Sequence, residues 1–218
     1  MAERAIPNFS YGIPTKDKIL EAAVKLFAVN GYNAVSMRDI ADAVGIAQGS
    51  SYNHYKGKEE ILEAVMLSFE QKYKCYFEWL VSENAKAETL EEVMDNMFAE
   101  LLKVRDLSVY YGISLLMKEQ FNSEPARKRL FKLIYEDSIN WIQADFDRLM
   151  AKGVIPQGDS KTAASILMWC VLAGNDMRIN ESMGVKLPID CTRMYAGLKV
   201  FLTTALRAGT LPAPGVCD

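Results

Sequence analysis

The sequence predicts an all-α protein of about nine helices: an N-terminal three-helix head containing a helix-turn-helix, and a larger C-terminal helical body. Three observations predict this. Apolar residues recur three and four positions apart along almost the whole 218-residue chain. No alternating run flanked by a tight-turn dipeptide marks a β-hairpin. Between positions 36 and 62, two short helical patterns flank Gly45 and a third begins at Lys58.

Residues 1–14 contain Pro7, Gly12 and Pro14 and no helical pattern, so they read as a flexible arm, with Arg4 its one cation. The first helix spans 15–30. Thr15 offers a cap, Ile19, Ala23, Leu26 and Phe27 form a stripe, and Asn30-Gly31 closes it. Ser36 caps the next helix, and Asp39 reaches back to its positive end. Ile40, Ala41 and Val44 share a face, and Gly45 stops the helix with a left-handed turn. Ile46 then re-enters the core, and a helix spans 47–55. Two helices meeting steeply across a short Gly-containing turn form a helix-turn-helix, whose second helix enters the major groove.

A long helix follows over 58–81, with Ile61, Val65, Phe69 and Tyr73 down one side. Helices over 89–105 and 106–120 come next, the second with Gly112 inside it. Ser123-Glu124-Pro125 opens the longest candidate, 126–152, which stops at Gly153. Asp159 or Ser160 caps a helix to about 180, and the last helix spans 190–208. Residues 209–218, with Pro212, Pro214 and Gly215, read as a flexible tail. The expected division is an arm over 1–14, a head over 15–57, a body over 58–208 and a tail over 209–218.

The net charge of −3 argues against nucleic acid as a partner until its distribution is considered. Residues 1–58 carry +2 and the rest −5, which would turn the head toward phosphate and keep the body away. Cys75, Cys170, Cys191 and Cys217 lack paired spacing, and His54 is the single histidine, so neither a metal site nor a cofactor is expected. The first three thiols read as buried. No leader sequence and no membrane-length apolar run appears, which points to the cytoplasm and to no membrane partner. Gly-rich phosphate loops, nucleophile elbows and metalloprotease motifs are missing, so no catalytic residues are expected.

The segment 36–62 resembles the DNA-binding head of the TetR family of transcriptional regulators. The resemblance rests on Ser36-Met37-Arg38-Asp39-Ile40-Ala41, Gly45, Gly49-Ser50, Tyr52-Asn53-His54-Tyr55 and Lys58-Glu59-Glu60-Ile61-Leu62. With the helix before it, it covers about a third of the chain. Two positions depart from the pattern. Ala47 stands where Ser or Thr often caps the reading helix, and Ser51 replaces a large aliphatic residue; each departure costs about 1 kcal/mol.

A reading helix needs short polar side chains in its first turn. Gln48 can bridge adenine, Gly49 lets the backbone approach, and Ser50 is a compact donor and acceptor. Arg38, on the supporting helix, can reach guanine or phosphate, and Asn53 suits base or backbone. The resemblance implies that Ser36, Tyr52, His54 and Lys58 hold phosphates. Hydroxyls, imidazole and ammonium are all donors, and Lys58 opens a helix already favourable to anions. Packing is an equal reading for Tyr52, and for Lys56 solvated charge and phosphate contact are equal readings.

The body is rich in aromatic residues and methionine. Tyr73, Phe77, Met97 and Tyr110, with Met117, Tyr135, Trp141 and Trp169, are the candidates to line a pocket for a flat or hydrophobic effector. The last two long helices are nearly apolar all round, so a second subunit is expected to cover them in a symmetric dimer. The expected protein is a ligand-released repressor of a palindromic double-stranded operator, with the helix from Lys58 carrying the shift from ligand to heads. The competing readings are a ligand-independent or thiol-responsive regulator using Cys75 or Cys217, and an enzyme or carrier with a docking head.

Overall fold

The computed structural model describes residues 14–103 and 107–209, the side chains of 99–103 excepted. The expected arm and tail, and Cys217, thus lie outside the described residues, apart from Pro14 and Gly209. Within the described residues every regular element is helical, and the helices form nine rods. Contacts divide the chain into two units, Met1–Ser68 and Phe69–Asp218.

The first unit is built from α1 (Thr15–Asn30), α2 (Met37–Val44), α3 (Gln48–Ser51) and the opening turns of α4 (Lys58–Asn84). Ile19, Phe27, Ile40 and Ile61 are fully buried in it. Each contributes about 1.5–3 kcal/mol by leaving water. Thr15 is not the cap of α1. Pro14 holds that position, and its carbonyl accepts from the Asp17 and Lys18 amides at 2.9 and 3.1 Å. Proline suits a helix entry because its missing N–H would lie among the unpaired first-turn donors.

At α2 the expected start and stop are both present. Ser36 Oγ accepts from the Asp39 amide at 3.2 Å, and the Ser36 amide donates to Asp39 Oδ2 at 2.8 Å, a reciprocal capping box. Gly45 sits at φ 76°, ψ 34°. The Ile46 amide returns to the Ala41 carbonyl and the Gly45 amide to that of Asp42, closing the helix as a Schellman turn. The reading helix is shorter than the expected 47–55. Ala47 makes no side-chain cap, and Gly49, Ser50 and Ser51 are weak helix formers. Beyond Ser51 the chain continues as turns, with the Asn53 and His54 amides on the Ser50 and Ser51 carbonyls.

The second unit holds the rest of α4, then α5 (Leu90–Lys103), α6 (Ser108–Glu119), α7 (Glu124–Leu130), a π-helical stretch (Phe131–Ser138), α8 (Ile139–Ala151), α9 (Ser160–Ser182) and α10 (Cys191–Ala208). The elements over 124–151 form one rod, which Ser123 caps through the Ala126 amide. Its π stretch was not expected. Ser138 is fully buried, and its hydroxyl donates to the carbonyl five residues back, Leu133, at 2.6 Å. The Tyr73 hydroxyl lies 2.7 Å from the same Oγ. With the Ser138 proton on Leu133, Tyr73 is the donor of that pair. Burial pushes the Tyr73 phenol far above its ordinary range, so it stays a donor.

The end of α4 is locked by polar groups. Asn84, fully buried, donates to Asp145 Oδ2 at 2.6 Å. Arg148 donates to the Asn84 and Ala87 carbonyls at 2.7 and 2.8 Å, satisfying acceptors that a helix end leaves open. At Gly112, any Cβ would run into the Phe69 ring, so α6 lies backbone-close against α4. Cys75 is exposed, against the expectation of a buried thiol; Cys170 is half-buried and Cys191 buried.

Candidate nucleic-acid interface and effector region

In the first unit, the packed α1–α2 pair leaves the short α3 with its outer side in solvent. Gln48, Gly49, Tyr52 and Asn53 are exposed, and Ser50 and His54 are half-buried. Ser51, the inward residue, is fully buried and donates to the Gln48 carbonyl at 2.6 Å. A serine fits here because its hydroxyl is satisfied within its own turn. Arg38 is largely exposed and lies 3.7 Å from Asp42, one turn on along the same face. Such an exposed pair holds the guanidinium loosely.

A shallow groove of about 500 Å³ runs beside α3. It brings together Ser36, Gln48, Tyr52 and Lys58 of the expected contacts, and adds Lys56 and Met37, the first residue of α2. Arg38, Gly49, Ser50, Asn53 and His54 stand outside that lining. Ser36 Oγ also donates to Asp39 Oδ2 at 2.6 Å. The hydroxyl and amide of Ser36 hold the Asp39 carboxyl below its ordinary 3.8, the hydroxyl being the larger cause. The Met37 and Arg38 amides remain as the open donors of that helix start.

Lys58 is placed where sequence reasoning did not look. Its ammonium donates to the Tyr32 and Val35 carbonyls, each at 2.8 Å, and lies 4.3 Å from the centre of the Tyr32 ring. These partners precede it by more than twenty residues, so no local spacing announces them. Nearby, Tyr55 is buried with Lys16 over its ring at 5.3 Å. Its phenol is pushed up to about 12, chiefly by burial.

In the second unit the eight pocket candidates fall into groups. Tyr73, Phe77 and Trp141 form a continuous aromatic run, with ring centres 4.9 and 4.8 Å apart. Met117, Tyr135 and Trp169 form another. The Tyr135 hydroxyl lies 3.8 Å from Met117 Sδ, and its ring stacks on Trp169 at 5.3 Å. Met97 and Tyr110 are buried too, and the Arg178 guanidinium lies 5.8 Å from the centre of the Tyr110 ring. Trp169 is 52% exposed, so one side of its stack faces out. On the same face of α9, three residues earlier, Ile166 is exposed too; on α10, Val200 and Phe201 are 67% and 65% exposed. The last two helices are therefore not buried all round. Each packs one side inward on Leu167, Leu172, Tyr195 and Leu202 and leaves an apolar side open. Among the described residues, no helix is long and apolar enough to cross a membrane, and no cluster of ligating side chains could hold a metal ion.

Comparison with known proteins bears on both units. The family model for "Bacterial regulatory proteins, tetR family" matches residues 19–65. The transcriptional repressor KstR2 of Mycolicibacterium smegmatis is 44% identical over 54 residues, 25% of this chain and 26% of the repressor, so that match spans about a quarter of its length. The negative regulator of the biofilm operon icaADBC, IcaR of Staphylococcus aureus, is 25% identical over 151 residues, 62% of this chain and 77% of that protein. The solved ketosteroid regulator KstR2 of Mycobacterium tuberculosis superposes with a TM-score of 0.66 over 90% of this chain and 96% of its own, at 15% identity, a likeness of fold.

Proposed function

Because the chain belongs to the TetR family of transcriptional regulators, we propose that it acts as a homodimeric, cytoplasmic repressor, released from a palindromic operator by a small hydrophobic or aromatic effector. The observation that carries the DNA reading is the solvent-facing α3, with Gln48 and Gly49 exposed above a buried Ser51. Arg38, Gln48, Gly49 and Ser50 meet base edges, with Asn53 on base or backbone. The first turn of α2 behind Ser36, together with Tyr52 and His54, meets phosphates. A four-residue reading helix touches too few bases for useful affinity alone. Two heads on one dimer reach half-sites about 34–36 Å apart or a multiple of that.

The open apolar sides of α9 and α10 support the dimer. Two such sides, facing across a two-fold axis, bury Ile166, Val200 and Phe201 in a four-helix interface. The aromatic runs through Tyr73 and Tyr135 support an effector site within the body. Effector and operator then oppose each other by a coupling of about 1–3 kcal/mol, and each weakens the other by the same factor. Helix α4 contributes residues to both units and is the element through which that coupling passes. The relatives support the repressor reading, since both curated proteins are described as repressing transcription.

The test is a gel shift on a palindromic duplex selected from a random library. Gln48→Ala and Arg38→Ala should each weaken binding about tenfold, the value of one good base contact. Undiminished binding by both variants removes the reading. Tryptophan fluorescence then screens hydrophobic compounds, and a compound that quenches it should release the duplex.

A further inference from the structure

We infer that Lys58 is a positioning residue, which sets the start of α2 for phosphate instead of touching phosphate itself, and that the lysine meeting the DNA backbone at this corner is Lys56. The inference rests on the duplex-binding reading of the head. An ammonium has three donors. Two of them end on the Tyr32 and Val35 carbonyls at 2.8 Å, and the Tyr32 ring lies against the charge at 4.3 Å. The Val35 carbonyl belongs to the same peptide unit as the Ser36 amide. That amide donates to Asp39 Oδ2 at 2.8 Å. The peptide entering α2 is therefore held at both ends, by Lys58 on its carbonyl and by the capping box on its N–H.

A peptide plane fixed this way fixes the direction of the next amides, those of Met37 and Arg38. These are the open first-turn donors, and their aim decides whether a phosphate oxygen finds them. Tyr32 is tied in too, since its carbonyl also accepts from the Val35 amide at 3.4 Å and its ring packs edge-on against Phe27 at 5.3 Å. Lys58 thus joins the α1–α2 loop to the start of α4. Lys56 stands otherwise. It lines the same groove and is exposed, and its side chain enters no ion pair among the described residues. Its backbone amide is anchored on Glu60 Oε2 at 2.6 Å, which holds its Cα in place and leaves the ammonium for solvent or DNA.

The experiment uses the full chain and a fluorescein-labelled 30-base-pair duplex of arbitrary sequence, because backbone contact needs no operator. Affinity is measured over a range of salt, at a temperature where circular dichroism shows every variant folded. Each lysine lost from a phosphate lowers the slope of log K against log salt by about 0.9 for each head engaged. Lys56→Ala should show that drop. Lys58→Met should lose at least fivefold in affinity with the slope unchanged, and Lys58→Arg, which keeps donors for both carbonyls, should recover most of the loss. Ser36→Ala supplies a readout that a merely structural role would not move. If Lys58 acts through the entering peptide, the losses from Lys58→Met and Ser36→Ala are less than additive.

A slope drop with Lys58→Met places Lys58 on phosphate and overturns the inference. So does full affinity in the folded variant, additivity with Ser36→Ala, or an unchanged slope with Lys56→Ala. Wild-type protein that ignores the duplex at low salt overturns instead the duplex-binding reading beneath it.

Discussion

Gly49→Ala separates what the head needs in order to fold from what it needs in order to read DNA. Gly49 is the second residue of α3, it is exposed, and a Cβ built on it would meet nothing within 4 Å. In the free protein the added methyl is therefore costless in space, and it removes the backbone entropy that makes glycine a poor helix residue. That gain is about 0.5–1 kcal/mol in a helix interior and should sit at the low end in a helix of four residues. On DNA the outcome reverses. If α3 lies in the groove with its backbone close to base edges, the methyl occupies space that a base needs. Losing one good base contact in this way costs about 1–3 kcal/mol, so affinity should fall about tenfold while stability rises slightly. Urea unfolding of the full chain and titration of the selected palindromic duplex measure the two quantities on one preparation. Affinity that stays level or improves alongside stability refutes the placement of Gly49 against the bases.

Three further outcomes follow from the geometry. Ser138→Ala should cost about 1–3 kcal/mol in urea unfolding, because it leaves the buried Tyr73 hydroxyl without its acceptor; Tyr73→Phe, which leaves Ser138 bonded to Leu133, should cost only about 1 kcal/mol, and equal costs would contradict the donor order. Asp39, Glu92 and Asp159 are held below their ordinary 3.8, 4.5 and 3.8, chiefly by the Ser36 hydroxyl, the Glu88 amide and the Thr162 hydroxyl. A carboxylate depressed in the folded state adds stability above its unfolded value and loses it as pH falls through the folded one, so the urea midpoint should drop between about pH 5 and pH 3, and less in Asp39→Asn. Phe201→Glu should leave the thermal midpoint of the body nearly unchanged, since Phe201 is 65% exposed, yet halve the mass seen in sedimentation; a dimer that survives would move the interface elsewhere.

Local chemistry made much of the head legible. Ser36 with Asp39, Gly45 in its left-handed turn, and the polar run from Gln48 are signals confined to a few neighbours; α2 starts and stops where they put it, while α3 ends four residues early. The misses have distant causes. Lys58 is fixed by carbonyls 23 and 26 residues away, which no helical spacing reveals. The π stretch depends on a buried Ser138 reaching five residues back and on a tyrosine from another helix. Thr15 carried the right side chain for a cap, but Pro14 fitted the entry better. In the body, periodicity separated inner from outer positions on α4 and α5, where polar residues mark the solvent side. On α9 and α10 apolar residues occupy both sides, so nothing in their pattern said that Trp169, Val200 and Phe201 face outward. The aromatic candidates were identified as a group by composition alone, and composition does not sort residues into neighbours. Tyr73 with Trp141, and Tyr135 with Trp169, are pairings of tertiary packing.

The most direct measurement is a comparison of the duplexes that wild-type protein and Gln48→Ala enrich from a random-sequence library. A base read by Gln48 predicts a palindromic consensus for the wild type, and for the variant the same palindrome with one position relaxed in each half-site. An identical consensus from both proteins, or no enrichment by either, would contradict the claim that this exposed turn of helix reads DNA.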